Sequence, residues 1–310
     1  MTAPMATRRT RIHYEKHSPL HHLQPTPEET TKLQAILEQL TKQEMETAAN
    51  ASYEYLTTRN SNKNQNLETH YAKQYALRYL RAKDGDQAKT LQRLQATLQF
   101  RHAVDVDGIR TAFDTHNANH NNNNNNLEYA KKLERELQAK NVYVQGYDKD
   151  GRATYIFVPR NVRGHDDAEW TLKEHIYTLE RAIASSRAED STVNAVVDCQ
   201  GFSLQHAPPT AIGKAFMNTF RHHYAGAIQD IFLVDAPLSF RCLWKVFRPL
   251  IGEKTRRKIH FVQSSDDTLR EYYDASQAAA WMMRGGQKNR DLDLHEYLYE
   301  TKFDQAFDES

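Results

Sequence analysis

One predicted helix, over residues 240–251, combines large apolar side chains with a stripe of cations. Its apolar side chains recur at i, i+4, i+7 and i+11 and widen to an arc of more than half the circumference. Between Arg241 and Lys258 there are seven Lys and Arg residues and one acid, Glu253, although the formal charge of the chain is only +1. Such a helix suits a membrane surface. The same pattern also fits an ordinary helix packed on a sheet with its cations in water, so periodicity alone leaves both interpretations open. The apolar arc is Phe240, Leu243, Trp244, Val246, Phe247, Leu250 and Ile251, and the cationic stripe is Arg241, Lys245 and Arg248.

Two short apolar runs flank this helix and are typical of buried strands. Residues 228–234 end at the turn signal Asp235-Ala236-Pro237, and the basic run 256–258 leads into residues 259–262. Gly252 is expected to end the helix between them. The order strand, helix, strand predicts two parallel strands joined by a crossover.

The same alternation of apolar runs and helical periodicity extends towards the N-terminus. A helix over residues 127–140 is followed by a hairpin around residues 148–151, where glycine permits a positive φ. A strand is predicted over residues 193–199, and helices over residues 166–188 and 209–224. Repeated strand–helix–strand units predict an α/β fold with a mixed, largely parallel sheet covered by helices.

Composition divides the remaining chain into ordered and disordered parts. In a helical module before the sheet, residues 26–29 start the first helix, residues 57–66 are a linker, and Asp84-Gly85-Asp86 separates two further helices. The stretch THNANHNNNNNN has no apolar face and is expected to be a disordered insert. The C-terminal segment is expected to dock one short helix around residues 294–298 and otherwise to be mobile. The predicted division is a disordered tail at 1–26, a helical module at 27–114, the asparagine-rich insert at 115–126, the α/β domain at 127–290 and an acidic tail at 291–310.

Composition and charge argue against several classes of protein. The 310 residues have a near-zero net charge, which argues against nucleic-acid binding as the main activity. Two cysteines, Cys199 and Cys242, make no disulfide framework and fit a reducing compartment. No apolar run approaches the roughly 18 residues that span a bilayer, and the N-terminus lacks the apolar core of a signal peptide. Arg8, Arg9 and Arg11 leave a mitochondrial presequence open, but no clear amphipathic helix accompanies them, so a cytoplasmic protein is expected.

Histidines occur in two groups, and neither predicts a metal site. His13, His17, His21 and His22 lie in the polar tail, where nothing fixes their geometry. The pair His222-His223 lies on a predicted helix, where adjacent side chains point about 100° apart. The sequence also has no G-x-S-x-G elbow, P-loop or Rossmann fingerprint. We therefore expect no metal, no cofactor and no catalytic residue.

Short motifs across residues 67–290 resemble the CRAL-TRIO family of lipid-binding proteins. Each motif is weak alone, but they occur in the family's order. The family's patterns are a helical L-R-x-L-R-A run, a D-x-x-G-R-P-V hairpin, a D-x-x-G-x-S strand end, an N-A-P…F…W…K-P-F…K-I segment and a terminal glycine pair. The similar stretches in this chain are Leu77 to Lys83, Asp148 to Tyr155, Val196 to Ser203, Val234 to Ile259, and Gly285-Gly286.

This resemblance implies a sheet with one face open to a hydrophobic pocket, closed by residues 240–251 as a mobile gate. It implies a cytoplasmic monomer that binds one phospholipid or other hydrophobic molecule and exchanges it during transient contact with membranes, with the lipid as ligand and no covalent chemistry. A binding scaffold that recruits partners or membranes without transfer is the alternative. The implied gate residues are Phe240, Leu243, Trp244, Phe247 and Ile251, and the membrane-facing cations are Arg241, Lys245, Arg248, Arg256 and Arg257.

The resemblance does not fix the ligand. At the family's inositol-headgroup positions Lys83 and Lys258 keep a cation, but Asp84 reverses the charge and Gly226 replaces an acid. The positions typical of phosphatidylcholine are better kept, and aromatic rings there suit a quaternary ammonium through cation–π attraction. Simple core packing of those aromatic residues stays open. The implied lipid-binding residues are Tyr155, Phe157, Ser203, Gln205, Phe216, Phe220, Tyr224, Lys83 and Lys258.

Overall fold

Most of the predicted disordered tail lies outside the residues that the structure describes, as does the first part of the asparagine-rich insert. The last three residues of the predicted insert belong instead to helix α7 (Asn124–Leu137), so the predicted boundary at residue 126 is wrong. Leu133 and Leu137 are buried, and packing of this apolar face stabilises a helix that extends into the polar run. The computed structural model describes residues 24–59, 65–114, 124–162, 167–288 and 292–307.

The helices of the N-terminal module start where side chains cap them. Thr26 accepts a hydrogen bond from the Glu29 N–H, and the Glu29 carboxylate accepts one from the Thr26 N–H, which closes a capping box. Thr41 and Ser52 cap two further starts, so the segment expected to form one helix forms three. The module's helices are α1 (Pro27–Leu37), α2 (Lys42–Asn50), α3 (Tyr53–Thr58), α4 (Gln65–Ala82), α5 (Gln87–Val104) and α6 (Val106–Arg110).

The second unit is built on one mixed sheet, and its strands and helices alternate in the predicted order. These elements are β1 (Val142–Tyr147), β2 (Ala153–Phe157), α8 (Ala168–Ser185), β3 (Val193–Asp198), α9 (Thr210–His223), β4 (Ile228–Val234), α10 (Leu238–Phe247), α11 (Glu253–Arg256) and β5 (Ile259–Val262). Within the described residues the strands lie side by side in chain order. β1 and β2 form the antiparallel hairpin, with Gly151 at φ 82° in its turn, and the other pairs are parallel. The predicted α/β fold with an N-terminal helical module is confirmed.

The parallel register divides the strand side chains between two faces that differ in burial. Successive side chains point to opposite faces, so residues paired across strands share a face. On one face Ile156, Val196 and Phe232 are aligned and fully buried, and residues between Val262 and Met283 pack over the last two. On the other face, which we call the open face, several apolar side chains are only partly buried. The open face has one row of Tyr155, Ala195, Ile231 and Ile259, and a second row of Phe157, Val197, Leu233 and Phe261.

The last described residues pack into the core, which contradicts the predicted mobile acidic tail. Phe303 and Phe307 are buried in one cluster with the β1 side chains. The Phe307 N–H donates to the Val144 carbonyl at 3.0 Å, so the segment pairs with the outer edge of β1. The sequence interpretation gave weight to the many acids of this segment and not to the apolar residues spaced between them. The final residues, 308–310, lie outside the described part. The buried side chains are Leu292, Tyr297, Leu298, Phe303, Ala306 and Phe307.

Arg181 of α8 is at the centre of this packing. It is fully buried, and its guanidinium donates to the carbonyls of Tyr297 at 2.6 Å, Thr301 at 3.2 Å and Lys302 at 3.3 Å. The guanidinium carbon also lies 3.8 Å from the centroid of the Tyr297 ring. Carbonyls at the end of a helical turn lack intrahelical donors, so a cation is favoured there. Arg181 therefore ties α8 to the C-terminal segment.

Candidate functional site

The open face of the sheet forms the floor of an apolar site beneath α8, α9 and α10. Phe240 of α10 packs against side chains of β3 and β4, and the Trp244 ring stands edge-on at 6.0 Å from the ring of Phe261. Val197 and Ile231, on the two central parallel strands, nevertheless remain only partly buried. Partly buried apolar side chains on central strands show that the helices do not close fully over this face.

Four of the predicted ligand-binding residues surround a histidine that the sequence reasoning missed. The Tyr155 hydroxyl lies 2.5 Å from Nδ1 of His175, on α8. The ring centroids of Phe157, Phe216 and Phe220 lie 5.3, 5.8 and 6.3 Å from that of His175, all edge-on. Burial lowers the pKa of His175 to about 4, so its imidazole is neutral at physiological pH. One histidine inside a helical pattern carries no motif, which is why no sequence signal identified it. We call these five residues the aromatic group.

Helix α10 covers part of the open face but buries little of itself. Of its ten residues only Phe247 is buried, whereas Leu238 and Val246 are 76% and 55% exposed. Phe247 packs against α9 at Gly213, where a Cβ would lie 2.8 Å from the Phe247 Cζ. Leu243 is half-buried. Helix α10 therefore covers part of the open face and contacts α9 and the sheet only along its apolar edge.

The end of α10 differs from the prediction. The α-helix stops at Phe247, residues Arg248–Leu250 form a 3₁₀ turn, and Ile251 is extended. Pro249 has no N–H to continue the α-helical ladder, so the helix tightens before it. Gly252 has φ −61°, so it does not end the helix by a left-handed turn. The prediction that Ile251 belongs to the helix is therefore wrong.

The polar residues of three motifs hold strand ends in place. The Asp148 carboxylate accepts hydrogen bonds from backbone N–H groups of the hairpin turn. Asp198 accepts a hydrogen bond from Arg160 at 2.8 Å. Asp235, at φ 50° just before α10, accepts from the Ser264 N–H at 2.9 Å and from its hydroxyl at 2.7 Å. These carboxylates position the turns around the site.

The predicted membrane-facing cations are all exposed. Arg241 is anchored at its base, because its Nε donates to the Ala236 carbonyl at 3.2 Å and its guanidinium carbon lies 5.3 Å from the centroid of Phe261. The exposed cations follow one another along the chain from α10 to α11. They are Arg241, Lys245, Arg248, Arg256 and Arg257.

Ser203 and Gln205 lie in a turn beside the start of α10. The Ser203 N–H donates to Nδ1 of His206 at 3.0 Å, and Gln205 is exposed. The Ser239 hydroxyl donates to the Phe202 carbonyl at 3.1 Å and so joins this turn to α10. Both predicted polar residues therefore belong to the α10 end of the site.

The two predicted headgroup lysines have different neighbours. Burial lowers the pKa of Lys83, and the nearby charges of Arg93 and Arg221 lower it further. Lys258 is half-buried, donates to the Ile228 carbonyl at 2.8 Å, and its pKa is lowered by burial. Lys83 therefore lies among cations, which suits an anion, whereas Lys258 is already engaged by the start of β4.

Tyr224 lies beside the aromatic group but faces the helical module. Its ring centroid is 5.7 Å from that of Phe220, and burial and the Glu180 carboxylate raise its pKa well above the usual value. Glu180 accepts a hydrogen bond from Arg101 at 2.6 Å and pairs with Arg110 at 3.3 Å. These buried charges join α5 and α6 to α8, so Tyr224 is part of the contact between the module and the sheet domain.

Across the described ranges, none of the helices has the length and apolarity that a membrane crossing requires. In the same ranges, His, Cys, Asp and Glu side chains do not gather in a group of three or more that could hold a metal ion. The histidines of the N-terminal tail lie outside the described residues.

Comparisons with known proteins bear directly on the motifs. Residues 137–281 match the CRAL/TRIO domain. Similar proteins include the phosphatidylinositol/phosphatidylcholine transfer protein SFH13 of Arabidopsis thaliana, with 29% identity over 65% of this chain and 32% of that protein. The phosphatidylinositol transfer protein PDR17 of Saccharomyces cerevisiae is 22% identical over 66% of this chain and 55% of that protein. The match thus spans about a third to a half of these relatives.

The fold agrees with these sequence matches. The crystal structure of Sfh5 superposes with a TM-score of 0.60 and 12% identity, over 90% of this chain and 95% of that one. The chain thus shares the fold of Sfh5. Residues 137–281 are similar to the CRAL/TRIO domain, in agreement with the motifs of the sheet domain.

Proposed function

We propose that this chain is a carrier that binds one phospholipid or another hydrophobic ligand and exchanges it at membranes. The observation that carries the proposal is the open face, where Val197 and Ile231 are only partly buried beneath three helices. Exposed apolar surface is unfavourable by about 25 cal/mol per Å², so a bound acyl chain would stabilise this face. The names of SFH13 and PDR17 as transfer proteins support the same class of ligand.

Exchange requires that the cover over the open face move, and α10 is the element that supports this role. Phe247 is its single buried side chain and anchors it on α9. Phe240 and Trp244 are only partly buried against the sheet, so the apolar contact that opposes displacement is confined to one edge of the helix. At a membrane, the exposed Leu238 and Val246 would enter the interface while the neighbouring cations meet anionic headgroups. The step is non-covalent. Phe247 moves away from Gly213, α10 uncovers the open face of the sheet, and one ligand replaces another.

The variant Phe247→Asp tests this role of α10. A carboxylate against Gly213 is unfavourable in the closed position, so we expect loss of vesicle-to-vesicle lipid transfer with an unchanged far-ultraviolet circular dichroism spectrum. Thr255→Asp, at an exposed position of α11, adds the same charge and is expected to transfer normally. Normal transfer by a folded Phe247→Asp protein would contradict the assignment of α10 as the gate.

Native mass spectrometry of the purified chain, followed by lipid extraction, tests the carrier function itself. One lipid per chain is expected, and its mass identifies the ligand class; the same spectrum reports whether the chain is a monomer. A chain with neither a bound lipid nor transfer activity would overturn the carrier proposal and favour the binding scaffold.

A further inference from the structure

One ring nitrogen of His175 is not engaged by any group in the part of the chain that the structure describes. Its side chain is more than nine-tenths buried, and Nδ1 lies within hydrogen-bonding distance of the Tyr155 hydroxyl. The opposite ring atom, Nε2, has no hydrogen-bonding partner among the described residues. A ring nitrogen that no protein group engages can form a hydrogen bond with a bound molecule, so Nε2 is a candidate for that contact.

The hydroxyl of Tyr155 determines which nitrogen of His175 carries the proton. The Tyr155 oxygen has no other hydrogen-bonding partner among the described residues, so its O–H is satisfied only when it donates to Nδ1. In a neutral imidazole the proton is then on Nε2, which becomes a donor. Burial keeps the imidazole neutral, because it lowers the pKa of His175 to about 4.

The surroundings of His175 limit what this donor can meet. The rings of Phe157, Phe216 and Phe220 pack edge-on around it, and none of them offers a strong acceptor. An N–H directed at a quaternary ammonium would be repelled, and a phosphate in an apolar site would lack a compensating cation. An uncharged carbonyl oxygen satisfies the donor and leaves the aromatic rings to pack on alkyl groups.

We propose that His175 determines ligand specificity by donating a hydrogen bond from Nε2 to an ester carbonyl oxygen of the bound lipid. Tyr155 is the positioning residue that fixes this donor. The inference rests on the proposed carrier function and deepens it. It places the glycerol–ester region of the ligand at the aromatic group, where the sequence left a choline headgroup and simple core packing open.

The test compares a diacyl phosphatidylcholine with its dialkyl ether analogue, which keeps the headgroup and chains but lacks the carbonyls. We expect the wild-type chain to retain the ester lipid about two- to tenfold better, the range for one neutral hydrogen bond. His175→Phe keeps an aromatic ring and is expected to bind both lipids equally. Tyr155→Phe is expected to reduce the preference, and His102→Phe, at an exposed position of α5 in the helical module, to leave it unchanged.

Each outcome separates this inference from the carrier function. If the wild-type chain retains both lipids equally, the role of His175 is wrong while the carrier function stands; if it retains neither, the carrier function fails first. If His175→Phe instead strengthens binding of phosphatidylcholine over phosphatidylglycerol, the aromatic group holds the choline and the inference is overturned. Should His175→Phe fail to fold, the ¹⁵N resonances of His175 in the wild type decide the matter. Protonation at Nδ1, or an Nε2–H unaffected by the ester lipid, would contradict the proposal.

Discussion

Helices α8 and α10 lie over the same face of the sheet, but they are attached to the molecule to very different extents. Of the 18 residues of α8, 13 are buried, and they include charged side chains that contact the helical module and the C-terminal segment. Of the ten residues of α10, Phe247 alone is buried. Both helices are amphipathic crossovers between parallel strands, so the difference arises from what packs against their outer sides.

This difference indicates which part of the site is fixed and which part moves. A helix enclosed on several sides opens only when the whole domain unfolds, whereas a helix held along one edge opens locally at a smaller free energy. The aromatic group is centred on α8 and thus on the fixed part. The ligand would therefore be recognised by side chains around the firmly held helix α8 and released by displacement of helix α10.

The largest effect is expected from removing the guanidinium that ties α8 to the C-terminal segment. Arg181→Met keeps the length of the side chain but removes the guanidinium donor from the carbonyls of Tyr297 and Thr301. The Lys302 carbonyl keeps the Gln305 N–H as a donor. We expect the free energy of unfolding to fall by about 2–6 kcal/mol in urea denaturation, because each buried acceptor left without a donor costs about 1–3 kcal/mol. Arg257→Met, whose side chain is 77% exposed, should change it by less than about 0.5 kcal/mol. Equal effects of the two variants would mean that α8 is not the more firmly held helix.

A pH-dependent effect is expected from Glu174, which is buried on α8. Burial raises the pKa of its carboxyl to about 8, from an ordinary value of 4.5, although the Asn141 amide donates to it at 2.6 Å. The folded state therefore holds a proton that the unfolded state releases above pH 4.5. The contribution of this bound proton to the free energy of unfolding is complete below pH 4.5 and is lost as the pH rises to 8.

Glu174→Gln is neutral at every pH and can still accept the bond from Asn141. Its unfolding free energy should exceed that of the wild type increasingly from pH 5 to pH 9, by a few kcal/mol at most, since one pKa unit corresponds to about 1.4 kcal/mol. Thermal unfolding of both proteins across this range measures the difference. A constant difference between the two proteins would show that Glu174 is ionised in the folded state and that this part of α8 is wetter than its burial implies.

Local rules in the sequence predict the elements well but not the packing of α8. The hairpin at Gly151 and the starts at Thr26 and Asp86 follow from turn and cap chemistry, which acts within a few residues. The register of the parallel strands then aligns the open face, and Tyr155 and Phe157 lie on it.

What the sequence could not predict depends on contacts between distant residues. The acids of the C-terminal segment resemble those of a solvated tail, because the sites that bury Phe303 and Phe307 exist only once β1 and α8 are assembled. Arg101 and Glu180 are 79 residues apart, so neither position signals a buried ion pair. His175 belongs to the candidate site because Tyr155 and two phenylalanines of α9 surround it. The periodicity of α8 alone cannot predict these neighbours, because they lie on other elements.

The smallest effect is expected at the exposed ion pair that links α11 to the helical module. Lys254 of α11 lies 2.5 Å from the Asp84 carboxylate, and the two side chains are 70% and 75% exposed. A double-mutant cycle of Asp84→Ala and Lys254→Ala, measured through hydrogen exchange of the α10 amides, should give a coupling of about 0.2–1 kcal/mol. The coupling should vanish in 1 M NaCl, where the Debye length is about 3 Å. The α8 amides should not respond, since their exchange requires global unfolding. A larger, salt-resistant coupling would mean that the helical module holds α10 closed, and the opening free energy of the cover would then be set at Asp84 as much as at Phe247.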